Sequence, residues 1–254
     1  MEAYIIAFIF SFIAGISTGA GSLIVLFIKN LKRVHLSIFI GFSAGVMIYI
    51  SFMELLFTAI IDTGFLFANI TFFIGILAIA VLDFFIPHEY KEEHPPEDFE
   101  EKYEKLGRTS LLVALGIAIH NFPEGLVAFF GALKDINLGL LLLVAIALHN
   151  IPEGVSVAFP IYYATGERKK AFLWSFLSGI AEPVGAIIGF LVLYPFVNDF
   201  LLSVTLAFVA GIMIFISFDE LLPLSLKHGE EHIAIISLFF GMLMISTIQV
   251  LFTI

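Results

Sequence analysis

The amino-acid sequence predicts an all-α membrane protein built as a bundle of eight transmembrane helices. Of its 254 residues, 60% are hydrophobic and 13% are charged, whereas soluble domains average about 25% charged residues. The apolar residues form runs of about 20 or more, which is the length a helix needs to cross a bilayer. These runs hold most of the 30 phenylalanines and lack the strict alternation of a barrel strand. The absence of cysteine excludes disulfides and thiolate metal sites.

Polar breaks between the apolar runs delimit the spans, which are numbered one to eight in chain order. The predicted spans are 4–28, 35–60, 65–86, 109–133, 137–163, 170–195, 199–224 and 233–253. All of them belong to a single integral membrane domain over 1–254. An acidic loop at 87–108, between spans three and four, is the only long connection.

The distribution of basic residues predicts the orientation of the bundle. Eleven of the twelve lysines and arginines lie in or beside loops one, three, five and seven, and Lys134 is the exception. Because cytoplasmic loops carry the excess of positive charge in membrane proteins, these four loops are predicted to be cytoplasmic. Both termini then lie outside the cytoplasm, in a multi-pass protein of the cell (plasma or inner) membrane.

An internal repeat relates spans two and seven. "GFSAGVMIYISFMELL" at 41–56 and "AFVAGIMIFISFDELL" at 207–222 are identical at eleven of sixteen positions without a gap. An odd number of crossings separates the two copies, so they run in opposite directions through the membrane. This pattern predicts an inverted repeat of spans 1–3 and 6–8 around central spans four and five, an arrangement common in secondary transporters.

Two nearly identical hexapeptides carry the chemistry of spans four and five: "HNFPEG" at 120–125 and "HNIPEG" at 149–154. Residues four apart share one face of a helix, so the His and the Glu of each motif point the same way. The intervening proline lacks an N–H and loosens the helix beside the His. Each motif lies about 10–15 residues from the short turn between the two spans, which predicts antiparallel neighbours with both motifs near the midplane.

Span six contributes a third carboxylate at a similar depth, Glu182 in "SGIAEPVGA". The combined set has two imidazoles, two amides and three carboxylates, and no Lys or Arg lies at this depth of the spans to neutralise them. Because ionised carboxylates are costly inside a membrane, this set predicts a visiting cation. Imidazole nitrogen combined with carboxylate and amide oxygen suits zinc and its first-row neighbours.

Three further acids lie toward the ends of the repeated segments. Glu54 is predicted near the outer end of span two, and Asp219 and Glu220 near the inner end of span seven. They are candidates for an outer and an inner relay for the cation. The alternative is that they are acids solvated at helix ends.

At these motifs the sequence resembles the ZIP (Zrt/Irt-like) family of divalent-metal transporters, in particular its prokaryotic zinc-uptake branch. The resemblance implies a midplane metal site, and it covers the eight spans, the outside termini and the long third loop. Carried over to this chain, the implied ligands are His120, Asn121, Glu124, His149, Asn150, Glu153 and Glu182.

The sequence therefore predicts a transporter that brings divalent transition metals into the cytoplasm. Zinc is the principal substrate, and iron, manganese, cobalt and cadmium are the other candidates; no organic cofactor is expected. The expected partners are the lipid bilayer and metal ions, with a homodimer as an open option and no nucleic acid. The alternative is a zinc-dependent intramembrane hydrolase, but the H-E-x-x-H helix of zinc proteases is absent.

Overall fold

The computed structural model of the chain describes residues 2–27, 33–84, 118, 121–228 and 231–253. Within these ranges it consists of helices joined by short turns, and they contain no strand. The helices are Glu2–Phe27, Arg33–Ile50, Ser51–Leu56, Phe57–Thr63, Phe65–Phe84, 121–134, Ile136–Thr165, Arg168–Gly179, Ala181–Leu193, Tyr194–Phe196, Asp199–Ile216, Ser217–Leu221, Leu222–His228 and Glu231–Thr253. The all-α prediction is confirmed.

The described ranges contain seven helices that are long and apolar enough to cross a membrane. They correspond to predicted spans one to three and five to eight, with ends that differ by a few residues. Predicted span four is described only at 118 and 121–134. The acidic loop at 87–108 and His120 lie outside the described residues.

Capping side chains and glycines set the ends of several spans. Asp135 begins span five by accepting hydrogen bonds from the backbone N–H groups of Asn137 and Leu138, each at 2.9 Å, and such caps satisfy donors that the first helical turn leaves open. Gly166 ends the same span with φ +67°, a left-handed conformation that glycine adopts without a steric cost. The short turns follow directly from these residues.

The spans group into two bundles. In the first bundle, span one packs against spans five and six, and the described part of span four packs against the same two spans. In the second bundle, span two packs against span eight, and span three packs against span seven. Spans two and five hold the bundles together, so the predicted metal residues belong to the first bundle and the relay candidates to the second.

Spans two and seven are not uniform α-helices. Each contains a π-helical segment, Ser51–Leu56 in span two and Ser217–Leu221 in span seven. A π-helical turn widens the helix by one residue and is frequent at functional sites. Hydrophobic periodicity does not distinguish it from an ordinary turn, so the sequence predicted plain helices here.

A polar network joins the two bundles beside the turn between spans four and five. The ammonium of Lys134 forms an ion pair with Asp62 and donates a hydrogen bond to Ser203 Oγ at 2.8 Å. Ser203 Oγ in turn lies 2.6 Å from Asp62 Oδ2. Lys134, the single basic residue on the predicted outer side, thus connects the first bundle to spans two and seven.

We expect Lys134→Met to lower the free energy of unfolding by about 0.5–1 kcal/mol, because the exposed Asp62 carboxylate loses its counter-ion and Ser203 loses a charged donor. For a chain of this size the melting temperature should fall by about 2–4 °C per kcal/mol. A double-mutant cycle with Asp62→Asn, followed by circular dichroism in detergent, checks the assignment. Strictly additive effects of the two substitutions would show that the ion pair contributes nothing.

Candidate metal centre

Three acidic and imidazole side chains from spans four and five converge in the interior of the first bundle. Glu124, His149 and Glu153 each offer one ligand atom, and these atoms all lie within 4.8 Å of one another. His149 Nε2 is 3.0 Å from Glu124 Oε1, and none of the three residues is more than 1% exposed. Ligand atoms around one tetrahedral ion with bonds of about 2.1 Å lie about 3.4 Å apart, so three atoms within 4.8 Å of one another can converge on a single ion.

Span five presents its two candidate ligands on one face because His149 and Glu153 are four residues apart. The helix is continuous from Ile136 to Thr165 and passes through Pro152 without a break. The backbone carbonyl of His149 accepts a hydrogen bond from Ser43 Oγ of span two at 3.2 Å. Ser43, which sequence reasoning missed, therefore ties the second bundle to the backbone of a candidate ligand.

Asn150 links span five to two other spans through its side-chain nitrogen. Nδ2 donates to the carbonyl of Ala14 in span one at 3.0 Å and to Glu182 Oε1 in span six at 2.5 Å. Its Oδ1 is buried and has no hydrogen-bond partner among the described residues. The amide is thus oriented with its nitrogen toward protein and its oxygen available to an electron-pair acceptor.

Asn121 repeats this arrangement in span four. Its Nδ2 donates to the carbonyl of Ser178 in span six at 3.2 Å, and its buried Oδ1 likewise lacks a partner in the described part of the chain. An orphaned buried oxygen costs about 1–3 kcal/mol. A bound cation would remove this cost at both amides.

Span six places its carboxylate by a break in the helix. One helix ends at Gly179 and the next begins at Ala181, which puts the fully buried Glu182 in the first turn of the second helix. Pro183 follows directly, and proline is tolerated in a first turn because the N–H it lacks would have no helical acceptor there. The helix interruption therefore occurs beside the span-six carboxylate rather than at Pro152.

The glycine that ends each hexapeptide is a second feature missed by sequence reasoning. A Cβ atom added at Gly125 would lie 1.9 Å from the carbonyl oxygen of Glu182, and one added at Gly154 would lie 1.9 Å from that of Thr18. Neither position has room for a side chain. In the sequence, the glycine that directly follows the Glu of both hexapeptides was the signal that could have indicated this tight packing.

The three predicted relay residues lie apart from the triad formed by Glu124, His149 and Glu153. Glu54 is on the π-helical segment of span two and accepts a hydrogen bond from Gln249 of span eight. Asp219 and Glu220 are on the π-helical segment of span seven. The structure does not bring these three acids into the cluster of Glu124.

Comparison with known proteins identifies the family. The family described as "ZIP Zinc transporter" matches residues 86–249. The zinc transporter ZupT of Clostridium perfringens is 46% identical over 99% of this chain and 98% of its own length. That of Streptococcus mutans is 47% identical over 97% of both chains, and that of Chlorobium luteolum is 44% identical over the whole of both.

The three relatives match nearly the whole of both chains, and their identity to this chain is high enough to show membership of one family. Members of the family are transporters rather than enzymes, which removes the hydrolase alternative. The predicted resemblance is confirmed: the chain belongs to the ZIP family of zinc transporters.

Proposed function

We propose that this protein carries divalent transition metals, zinc above all, into the cytoplasm through a site at the midplane of the first bundle. The observation that carries the proposal is the buried triad of Glu124, His149 and Glu153. Carboxylates buried in a membrane protein require a positive partner, and span five contains no Lys or Arg from Asn137 to Thr165. A cation that binds and leaves accounts for the cluster.

The proposed ligands are drawn from spans four, five and six. Glu124, His149 and Glu153 form the centre. The buried amide oxygens of Asn121 and Asn150, which have no partner among the residues that the structure describes, supply its uncharged oxygen ligands. Glu182 is connected to this centre by the hydrogen bond that it accepts from the amide of Asn150. His120 is included by its position in the first hexapeptide. The full proposed set is His120, Asn121, Glu124, His149, Asn150, Glu153 and Glu182.

Mixed nitrogen and oxygen donors suit zinc, and they also accept iron, manganese, cobalt and cadmium, because affinity at such sites varies gradually along the first-row series and does not exclude the neighbouring ions. The names of the relatives, all zinc transporters, support zinc as the principal substrate. Inward movement of a divalent ion gains about 4.6 kcal/mol per 100 mV of inside-negative potential. The membrane potential alone is therefore a sufficient driving force.

Zinc flux into sealed proteoliposomes tests the proposal. Purified protein is reconstituted with a zinc-sensitive dye inside, and an inside-negative potential is imposed with potassium and valinomycin. We expect zinc to enter faster than in empty liposomes, and we expect His149→Ala to abolish the difference because the triad loses its nitrogen ligand. Equal rates with wild-type protein and with empty liposomes would refute the function.

We further propose that Glu54 and the pair Asp219 and Glu220 relay the ion on the outer and inner sides of the site. Their location on two π-helical segments, which are frequent at functional sites, supports this role. The variant Glu54→Gln should slow zinc flux and leave equilibrium zinc binding at the central site unchanged. Reduced binding would instead assign Glu54 to the site itself.

The architecture we propose is an inverted repeat of spans 1–3 and 6–8 around spans four and five. Two equivalent helix contacts support this repeat, because both residues of one contact are related to those of the other by a shift of 166 positions. A Cβ added at Gly45 would lie 1.9 Å from the carbonyl oxygen of Leu238, and one added at Gly211 would lie 2.0 Å from that of Phe72. The π-helical segments of spans two and seven recur with the same shift.

The proposed orientation places both termini outside the cytoplasm and makes spans two and seven run in opposite directions. The chain has no cysteine, so a single introduced cysteine reports one position. In intact cells, an impermeant maleimide should label Ala3→Cys and Asp199→Cys, at the starts of spans one and seven. It should not label His35→Cys, at the start of span two. Labelling of all three would contradict the inverted repeat.

A further inference from the structure

Most threonines inside the described helices share one hydrogen-bonding pattern. Five of them donate their hydroxyl hydrogen bond to the carbonyl four residues earlier, at 2.7–3.0 Å: Thr63, Thr71, Thr165, Thr205 and Thr247. This bond satisfies a hydroxyl that would otherwise be unpaired in an apolar interior. A fully buried threonine that departs from this pattern therefore requires an explanation.

Thr18 in span one departs from it. The residue is fully buried, and its Oγ1 has no hydrogen-bond partner among the described residues. The expected acceptor, the carbonyl of Ala14, already accepts from Ser17 Oγ at 2.5 Å and from Asn150 Nδ2 at 3.0 Å. The bond that orients the Asn150 amide thus occupies the position that the Thr18 hydroxyl would use.

Ser11 is a second orphaned hydroxyl on the same face of span one. It is also fully buried, and its Oγ has no partner within the described ranges. Ser11, Ala14 and Thr18 follow the spacing of three and four residues that places side chains on one face of a helix. The two hydroxyls therefore lie about one helical turn to either side of Ala14, whose carbonyl binds the Asn150 amide.

The packing of Thr18 puts it next to the candidate ligands. Its carbonyl oxygen would be 1.9 Å from a Cβ at Gly154, the residue that follows Glu153. Its own Cβ would be 2.9 Å from a Cβ at Gly179 of span six, three residues before Glu182. Thr18 is thus wedged between the two helices that carry these carboxylates.

We propose that span one is a further wall of the metal site, and that the hydroxyls of Ser11 and Thr18 hold water ligands of the passing cation on either side of the Asn150 amide. This inference rests on the proposed function. A divalent ion that enters from water sheds its hydration shell stepwise, and each remaining water needs hydrogen-bond partners. Two neutral hydroxyls supply these hydrogen-bond partners. They add no negative charge, which would bind the cation more tightly and slow its release.

Isosteric removal of the Thr18 hydroxyl separates a ligand role from a structural one. Thr18→Val keeps the shape and replaces an orphaned hydroxyl by a methyl group, so the melting temperature without metal should stay the same or rise. Zinc affinity, measured by calorimetry on purified protein, should fall by up to about 10-fold, the upper end of what one neutral hydrogen bond contributes. Ser11→Ala should behave in the same way, and Thr18→Ser, which keeps the hydroxyl, should bind zinc like wild type.

The matched control is Thr71→Val in span three, where the hydroxyl donates to Phe67 at 3.0 Å in the second bundle. This variant should melt at a lower temperature and bind zinc with unchanged affinity. Wild-type zinc affinity in both Thr18→Val and Ser11→Ala would overturn the inference, and so would a lower metal-free melting temperature or failure of these variants to fold. If Glu124→Gln also bound zinc normally, the proposed metal site itself would be wrong.

Discussion

Replacing Glu124 by Gln should abolish zinc transport and weaken zinc binding by at least about 100-fold. The substitution keeps the size of the side chain and removes the charge of a carboxylate that lies 3.0 Å from His149 Nε2 at the centre of the triad. If Glu124 is a ligand, as we propose, its loss should reduce zinc affinity by more than the roughly 10- to 100-fold caused by loss of residues that only support metal ligands. Calorimetric titration and zinc flux into proteoliposomes both measure the change.

The matched control for this prediction is Glu167→Gln. Glu167 is an exposed acid just before span six, and its side chain makes no capping hydrogen bond there. This variant should transport zinc like wild type, because the net charge changes equally but no ligand is lost. Wild-type zinc affinity in Glu124→Gln would show that the triad is not the binding site.

Adding one methyl group at Gly154 should be nearly as damaging, although this residue offers no ligand. A Cβ there would lie 1.9 Å from the Thr18 carbonyl oxygen, and a clash with backbone cannot be relieved by a rotamer change. Overpacking typically costs about 1–3 kcal/mol, and more where the neighbour is rigid. We expect Gly154→Ala to separate spans one and five, lower the yield of folded protein and eliminate zinc flux. Gly125→Ala should do the same to spans four and six.

Gly131→Ala is the control because it tests the same chemical change in span four. The added Cβ there would first meet the end of the Leu142 side chain, at 2.3 Å, which can rotate away. Alanine is also the better helix former, by about 1 kcal/mol. This variant should fold and transport normally. If Gly154→Ala matched it in melting temperature and flux, the tight packing of spans one and five would be unimportant.

The hydrophobic runs predicted the helices of this protein well. The spans predicted at 65–86 and 233–253 correspond to the helices Phe65–Phe84 and Glu231–Thr253. This success has a simple physical basis, since a chain inside a bilayer must satisfy its backbone hydrogen bonds within each segment. Apolar length and polar breaks then define each helix locally.

The spacing within the hexapeptides was equally informative. A separation of four residues put His149 and Glu153 on one face of span five, and the short turn after span four brought Glu124 against them. Both inferences use only helical geometry. The role of Gly154, in contrast, depends on a carbonyl in span one that lies more than a hundred residues earlier.

By itself, the sequence determined where the helices lie, which side chains could bind a cation, and the family of the protein, because these depend on local composition and short spacing. Only the tertiary structure decided which spans touch, that the Asn150 nitrogen faces Ala14 and Glu182, and that the hydroxyl of Thr18 has no partner in the described part of the chain. Those features arise from distances between remote segments. Their packing involves many weak contacts, and no periodicity along the chain records it.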